Sequence, residues 1–277
     1  MKKLPVSAII LAKNEATMLP GCLHTLRWCS EVLIIDDGST DGTASVAEDA
    51  GARVISFKHQ SFARKREEGA KHAASPWLLY IDSDERVTPE LVAEISAALH
   101  EKQSLAAYSI NRENIFFGQA MHHGGWETDV VTRLIKKDQL SGWKGEIHES
   151  PKISGEIGQL QEPLVHFSHR SVSDGLLKSA DWTKTEALLL SKTIDKPVTL
   201  PVIIRKGLGE FWRRVIQKRG YRDGMVGYIE GLIQAINRVL VYIQIWEFQQ
   251  SPPIPDLYAV KERELQILWE QQESKEA

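Results

Sequence analysis

The sequence predicts an α/β fold: a mostly parallel sheet flanked by helices over residues 1–170, a helical C-terminal region over 171–250 and a charged tail over 251–277. Three observations predict it. Over the first hundred residues short apolar runs alternate with segments of helical length, the pattern of a parallel sheet covered on both faces. Each apolar run ends in a polar cluster, and ligands of such sheets bind at the carboxyl ends of the strands. Beyond about Phe167 the strand-like runs stop and helical periodicity takes over.

Taken in order, VSAIILA (Val6–Ala12) and EVLIID (Glu31–Asp36) read as buried strands, joined by a helix around Ala16–Trp28. RVISF is a third strand, FARKREEGAKHAA a helix and WLLYID a fourth strand. PELVAEISAALHE follows as a helix opened by Pro89, at the position where a missing N–H is harmless. From Ala106 to Phe167 the runs AAYSINRENIFFG, VVTRLIKKD and PLVHFS read as strands among loops, an α+β half able to take a second substrate. SVSDGLLKSADWTKTEALLLSK reads as a helix. The next stretch mixes apolar and aromatic residues with Arg205, Lys206, Arg213, Arg214, Lys218, Arg219 and Arg222. MVGYIEGLIQAINRVLVYIQIWEF is a further apolar helix; its Glu230, Arg238 and Glu247 leave it short of the roughly 20 uninterrupted apolar residues of a membrane span. SPPIP stops it, and the tail is expected to be a short helix or disordered.

The chain carries 42% hydrophobic residues, 26% charged residues and a formal net charge of -3, so nothing global points to nucleic acid and local charge says more than the total. Cys22 and Cys29 are placed on one helix about 10 Å apart, too far for a disulfide, and read as reduced thiols. The first residues lack the uninterrupted apolar core and cleavage site of a signal peptide. Together these place the protein in the cytoplasm. The cationic, aromatic C-terminal region adds the expectation of a peripheral contact with the cytoplasmic face of an anionic inner membrane, or else of packing within the chain or against an oligomer partner.

The candidate chemistry lies at three strand ends: AKNEA (Ala12–Ala16), DDGSTDGT (Asp36–Thr43) and DSDE (Asp82–Glu85). Consecutive carboxylates at the end of a buried strand repel one another unless a cation separates them. Asp82 and Asp84, two apart, project from one face if the strand persists, and such an oxygen pair suits Mg²⁺ or Mn²⁺; a solvated turn fits the same residues. Asp36 and Asp37 can accept hydrogen bonds from a nucleobase or ribose, while Asp41 reads equally well as a helix cap. No G-x-G-x-x-G follows the first strand, which argues against a nicotinamide or flavin cofactor.

In this order and spacing VSAIILAKNEATMLPGCL, VLIIDDGSTDGT, FARKREEGA and WLLYIDSDERVTPEL resemble the inverting family 2 glycosyltransferases of GT-A fold. HHGGWETDVVTRLIKK, GEIHESP and YRDGMVGYIEGL further resemble the bacterial branch that glucosylates the inner core of lipopolysaccharide or lipooligosaccharide. The resemblance implies a nucleotide-sugar half over residues 1–105 and an acceptor half over 106–170. It implies that Ala12, Asn14, Glu15 and Asp37 hold the nucleoside and that Arg64 or Lys65 approaches it or the diphosphate. Asp84 would bind the metal, and Asp82 the ribose or a metal-bound water. The basic run Arg64–Arg66 reads equally as an exposed helix face. Glu149 is the first choice for the base that deprotonates the acceptor, with Glu146 the alternative. His148 reads as structural rather than a ligand, and His166 and His169 are weaker metal candidates. Gly125 and Trp126 would form an acceptor wall, with Trp143 less supported; a tight glycine turn with a packed Trp126 is the plainer reading.

The reaction implied is metal-dependent transfer of a hexose, glucose from UDP-glucose, to a lipid-linked saccharide, an inner-core heptose, with inversion. A sugar nucleotidyltransferase shares the sheet and the acidic site, but should show a glycine-rich basic loop after the first strand, which LAKNEATML lacks. An inactive glycan-binding protein of the same fold is opposed by the presence of Asp37, Asp82, Asp84 and Glu149.

Overall fold

The structure is a computed structural model that describes residues 3–101, 105–145 and 149–276. The chain divides into two units, Met1–Arg170 and Ser171–Ala277. The first runs β1 (Leu4–Ala12), α1 (Leu19–His24), β2 (Cys29–Asp36), α2 (Thr43–Asp49), β3 (Arg53–Ser56), α3 (Phe62–His72), β4 (Trp77–Asp82), β5 (Glu85–Val87) and α4 (Pro89–His100). It continues through β6 (Ala107–Phe116), β7 (Gln119–Ala120), β8 (Val130–Lys136), β9 (Leu140–Lys144), β10 (Ser150–Ile153), β11 (Ile157–Gln159) and β12 (Leu164–His169).

The sheet has the order β3-β2-β1-β4-β8-β6-β12-β5. Its first four strands are parallel, β8 runs antiparallel between β4 and β6, and β12 runs parallel to β6. This is the α/β, mostly parallel fold expected from the alternating pattern. The apolar runs are continuous because both faces are covered. Ala8, Ile10, Ile34, Leu79 and Ile81 pack on one side with α1 and α4, while Ile9, Leu33, Ile35, Leu78 and Tyr80 pack on the other. On that second side α3 approaches closely at Gly69, where a Cβ would lie 2.5 Å from Cγ2 of Ile9. The sheet therefore requires a residue without a side chain there.

Three expectations are corrected. The first helix is shorter than Ala16–Trp28, because Thr25 Oγ1 donates to Cys22 O and Trp28 Nε1 to Thr25 O, which ends the helix at His24. Cys22 therefore sits in α1 and Cys29 opens β2, so they do not share a helix; both are free, buried thiols, and burial pushes each thiol well up from its usual range. The tail is an ordered helix rather than a short or disordered segment.

The second unit holds α5 (Val172–Ser191), α6 (Leu200–Phe211) continued by a π-helical run (Trp212–Gln217), a 3₁₀ turn (Gly220–Asp223), α7 (Gly224–Phe248) and α8 (Ile254–Glu276). Ala187, Val198, Val241, Tyr242 and Ile245 form its core. By length and composition Gly220–Phe248 is apolar enough to cross a membrane, with a mean hydropathy of 1.2, which corrects the reading that its three charges put it out of range. Glu230 turns into the unit, and Arg238 pairs with Glu186 of α5.

Candidate active site

The carboxyl ends of β1 and β2 are stitched together before any ligand is considered. Asp36 accepts from the backbone N–H groups of Gly38 and Ser39, closing the DDGS turn at Gly38, whose φ of 78° favours glycine. Asn14, itself at φ 57°, accepts on Oδ1 from Thr40 N (2.8 Å), and its own N donates to Ser39 Oγ (3.0 Å). Glu15 N donates to Thr43 Oγ1 and Ala16 N to Asp41. The AKNEA loop is thus held on the DGSTDGT loop, with Asn14 as the bridge. Ala12 joins them through its carbonyl, which accepts from Asp37 N (2.9 Å).

Asp37 faces out of this edge. Its carboxylate accepts from Lys65 Nζ (2.8 Å) and from His59 N (3.1 Å). Partial burial raises its pKa, but the Lys65 and His59 hydrogen bonds outweigh this and hold the carboxyl below its usual range. The basic run on α3 is not one exposed face, which corrects that reading. Arg64 is exposed and pairs with Glu67, whereas Lys65 and Arg66 are buried and reach the strand ends.

The end of β4 answers the question its carboxylates raise. The positive charge between them is protein. Arg133 of β8 donates to both Asp82 and Glu85, and Arg66 lies 3.7 Å from Asp82. Burial would raise the Asp82 pKa, yet Arg133 and then Arg66 hold the carboxyl well below the usual range. Glu85 is fully buried; burial pushes its pKa up against the pull of Arg133, and Arg112 approaches it at 3.5 Å. Asp82 is thus committed to two arginines, while about a third of its side chain stays accessible to accept from a ligand hydroxyl.

Asp84 is placed differently. Its Oδ1 lies 3.6 Å from Nε2 of His166 on β12. Asn114 Nδ2 donates to Asp129 (3.0 Å), which is clamped by two 2.9 Å bonds from Arg112. That fixes the Asn114 amide so that Oδ1 accepts from His166 Nδ1 at 2.7 Å. His166 Nδ1 is thus the donor to Asn114 and Nε2 is the ring nitrogen turned to Asp84, a hydrogen bond of the kind that orients metal-ligating histidines. Separated by 3.6 Å, the two atoms are too far apart for a hydrogen bond and near enough for one cation to reach both at about 2.0–2.2 Å. The donor set fits Mg²⁺ or Mn²⁺, which keeps positions for water and phosphate; no cluster of three or more protein ligands occurs among the described residues.

In the segment after α4, Trp126 packs edge-on against Phe116 with centroids 4.8 Å apart, and Gly125 N donates to Glu127 (2.8 Å). Trp126 borders a cavity of about 190 Å³ lined also by Arg112, His122 and Glu127. Trp143 is buried against Tyr80, a packing role. Glu149 is half-buried immediately before β10. Glu146 and His148 lie outside the described residues. A larger hollow of about 620 Å³ sits by Trp77 and Lys137, at the amino end of β4 and away from this chemistry.

Arg133, Arg112, Asn114 and Asp129 were not named from sequence, and His166 was named only weakly. A signal existed for Arg133: it is the lone charge inside the apolar run VVTRLI, and a buried arginine needs a carboxylate.

The carboxyl edge of the sheet thus presents acidic strand ends, the Asp84–His166 pair and the lysine-bound Asp37, an arrangement chemically suited to group transfer from a phosphorylated donor. Residues 7–153 match Glycosyl transferase family 2, and the chain belongs to that family; it is a glycosyltransferase. It is 26% identical over 256 residues, 88% of this chain and 93% of the other, to the lipopolysaccharide core biosynthesis glycosyltransferase LpsC of Rhizobium meliloti. It is 25% identical over 247 residues, 85% of this chain and 87% of the other, to an uncharacterized glycosyltransferase of Rickettsia felis. Among solved structures it is similar to glucosyl-3-phosphoglycerate synthase from Mycobacterium tuberculosis in complex with Mn²⁺ and UDP-glucose, with a TM-score of 0.44 and 17% identity over 70% of this chain and 82% of that one.

Proposed function

We propose that the protein transfers a hexose, glucose from UDP-glucose, to a hydroxyl of a lipid-linked saccharide, an inner-core heptose of lipopolysaccharide, with inversion at the anomeric carbon. The observation that carries the reading is the pairing of Asp84 with an oriented His166 on the same edge as the Asp37–Lys65 pair. One edge thereby offers both a cation site and a nucleoside site.

Asp37 accepts from the nucleoside, with Lys65 keeping it ionised, and Asn14 and Glu15 close the loop above it. Asp82, held charged by Arg133 and Arg66, accepts from the ribose or from a bound water. Asp84 and His166 would hold Mg²⁺ or Mn²⁺, which when bound neutralises charge on the departing diphosphate. Glu149 takes the proton from the acceptor hydroxyl as its oxygen attacks the anomeric carbon, and Gly125 and Trp126 offer a backbone and an aromatic face to the acceptor sugar. Glu146 is the alternative base. The name of the Rhizobium relative supports the lipopolysaccharide acceptor.

The test incubates the full chain and Mn²⁺ or Mg²⁺ with a panel of nucleotide sugars, with and without truncated lipopolysaccharide. Release of UDP from UDP-glucose only when the acceptor is present is the expected result. Acceptor-dependent release from another donor would overturn the choice of glucose, and release indifferent to the saccharide would overturn the acceptor.

A further inference from the structure

Helix α7 has its polarity reversed. Between Met225 and Trp246 its charged residues are Glu230, which is buried, and Arg238, which is half-buried against α5. Glu230 is 2% exposed and accepts from Gln234, and Arg238 donates to Glu186 of α5 at 2.8 Å. The exposed residues of the same stretch are all apolar or aromatic, among them Met225, Tyr228, Leu232, Ile236, Ile243 and Trp246. They recur at steps of three and four and so share one face. A helix facing water carries the opposite arrangement.

Helix α6 adds to the pattern. It is pressed against α7 at Gly207, where a Cβ would meet Cγ2 of Val239 at 2.5 Å, and it exposes Leu200, Ile204 and Leu208 at every fourth position. Such exposure is confined to the helical unit: among the described residues of the first unit, only Phe62, Val130 and Ile157 are large, apolar and exposed. A patch of this extent marks an interaction surface.

The charges decide what covers it. From Leu200 to Phe248 the exposed charged residues are Arg205, Lys206, Arg219 and Arg222 against one carboxylate, Glu247; Glu210 is buried between Arg213 and Arg214. A second copy meeting this face would bring like charges together, whereas an anionic bilayer neutralises them while taking up the apolar side chains. The inward side of α7 is already occupied by α5, with Glu186 bound to Arg238, so only its outer face is open to lipid, which suits a helix lying along the surface.

We propose that the exposed apolar face of α6 and α7, with its flanking arginines and lysine, seats the protein on the surface of an anionic lipid bilayer. This goes beyond the proposed transfer and is tested without donor or acceptor. The full chain is sedimented with phosphatidylglycerol–phosphatidylcholine vesicles and with phosphatidylcholine alone. Binding to the anionic vesicles is expected, about thirtyfold weaker for Arg205→Gln/Arg222→Gln, from about one kcal/mol per cation. Leu232→Glu/Ile236→Glu is expected to abolish binding with an unchanged circular dichroism spectrum, both positions being exposed; should that pair fail to fold, the arginine pair carries the test alone. Absence of binding by the wild type at low salt would overturn the proposal. So would wild-type binding by the arginine pair, or light scattering showing a dimer that Leu232→Glu/Ile236→Glu dissociates.

Discussion

His166→Gln takes away the Nε2 lone pair that faces Asp84, and Asn114→Ala takes away the hydrogen bond that keeps it there. If His166 holds the cation and Asn114 orients it, Asn114→Ala should raise the Mn²⁺ concentration for half-maximal turnover about 10–100-fold. His166→Gln should raise it at least as much. UDP affinity without metal should not change in either, and an unchanged metal requirement in both would remove His166 from the site. Glu149→Gln separates binding from proton transfer, because the amide has nearly the same shape and no useful basicity. Its kcat should fall by about 10²–10⁴ with UDP affinity preserved; full activity in this variant and loss in Glu146→Gln would move the base to Glu146. At this scale the sequence points to Asp37, Asp82 and Asp84 because strand ends select them, and the fold places them at the carboxyl edge. The sequence did not disclose Arg133 as the partner of Asp82, or Asn114 as the partner of His166, because β8, β6 and β12 come together by long-range pairing that no local pattern records.

Elements were legible where periodicity and capping agree. Thr88 accepts from Leu91 N at the start of α4 with Pro89 following, and that helix stands where the sequence puts it. Helix α1 was overestimated because Thr25 and Trp28 divert backbone carbonyls, a side-chain competition that the apolar pattern hides. The three-residue β5 was missed because its existence depends on β12. Gly69 ties α3 to β1, and with them Lys65 and Arg66 to the site. Gly69→Ala should lower stability by about 1–3 kcal/mol through overpacking against Ile9. It should also weaken UDP binding as α3 is displaced, which urea unfolding and a UDP titration would read; an unaltered midpoint would mean that the helix can shift at no cost.

Across the whole molecule the two units carry different parts of the account. The first carries the match to Glycosyl transferase family 2 and gathers acidic strand ends on the carboxyl edge of a parallel sheet. In the second, α7 turns apolar side chains outward, with Glu230 buried and Arg238 paired to Glu186 of α5. That arrangement is hidden in the sequence, where Glu230 and Arg238 look like interruptions of an apolar helix; in the fold Glu230 bonds Gln234 and Arg238 bonds Glu186 of α5. The central claim is that Asp84 contributes to a cation site which completes nucleotide binding. The most direct measurement titrates UDP into wild type and Asp84→Ala by calorimetry, with and without Mn²⁺. Mn²⁺ should tighten UDP binding to wild type and do nothing for the variant, whose metal-free affinity, set by Asp37 and Lys65, should be unchanged and whose fold should be no less stable for losing one of several crowded carboxylates. An Asp84→Ala protein that folds normally and keeps the full Mn²⁺ enhancement would contradict it.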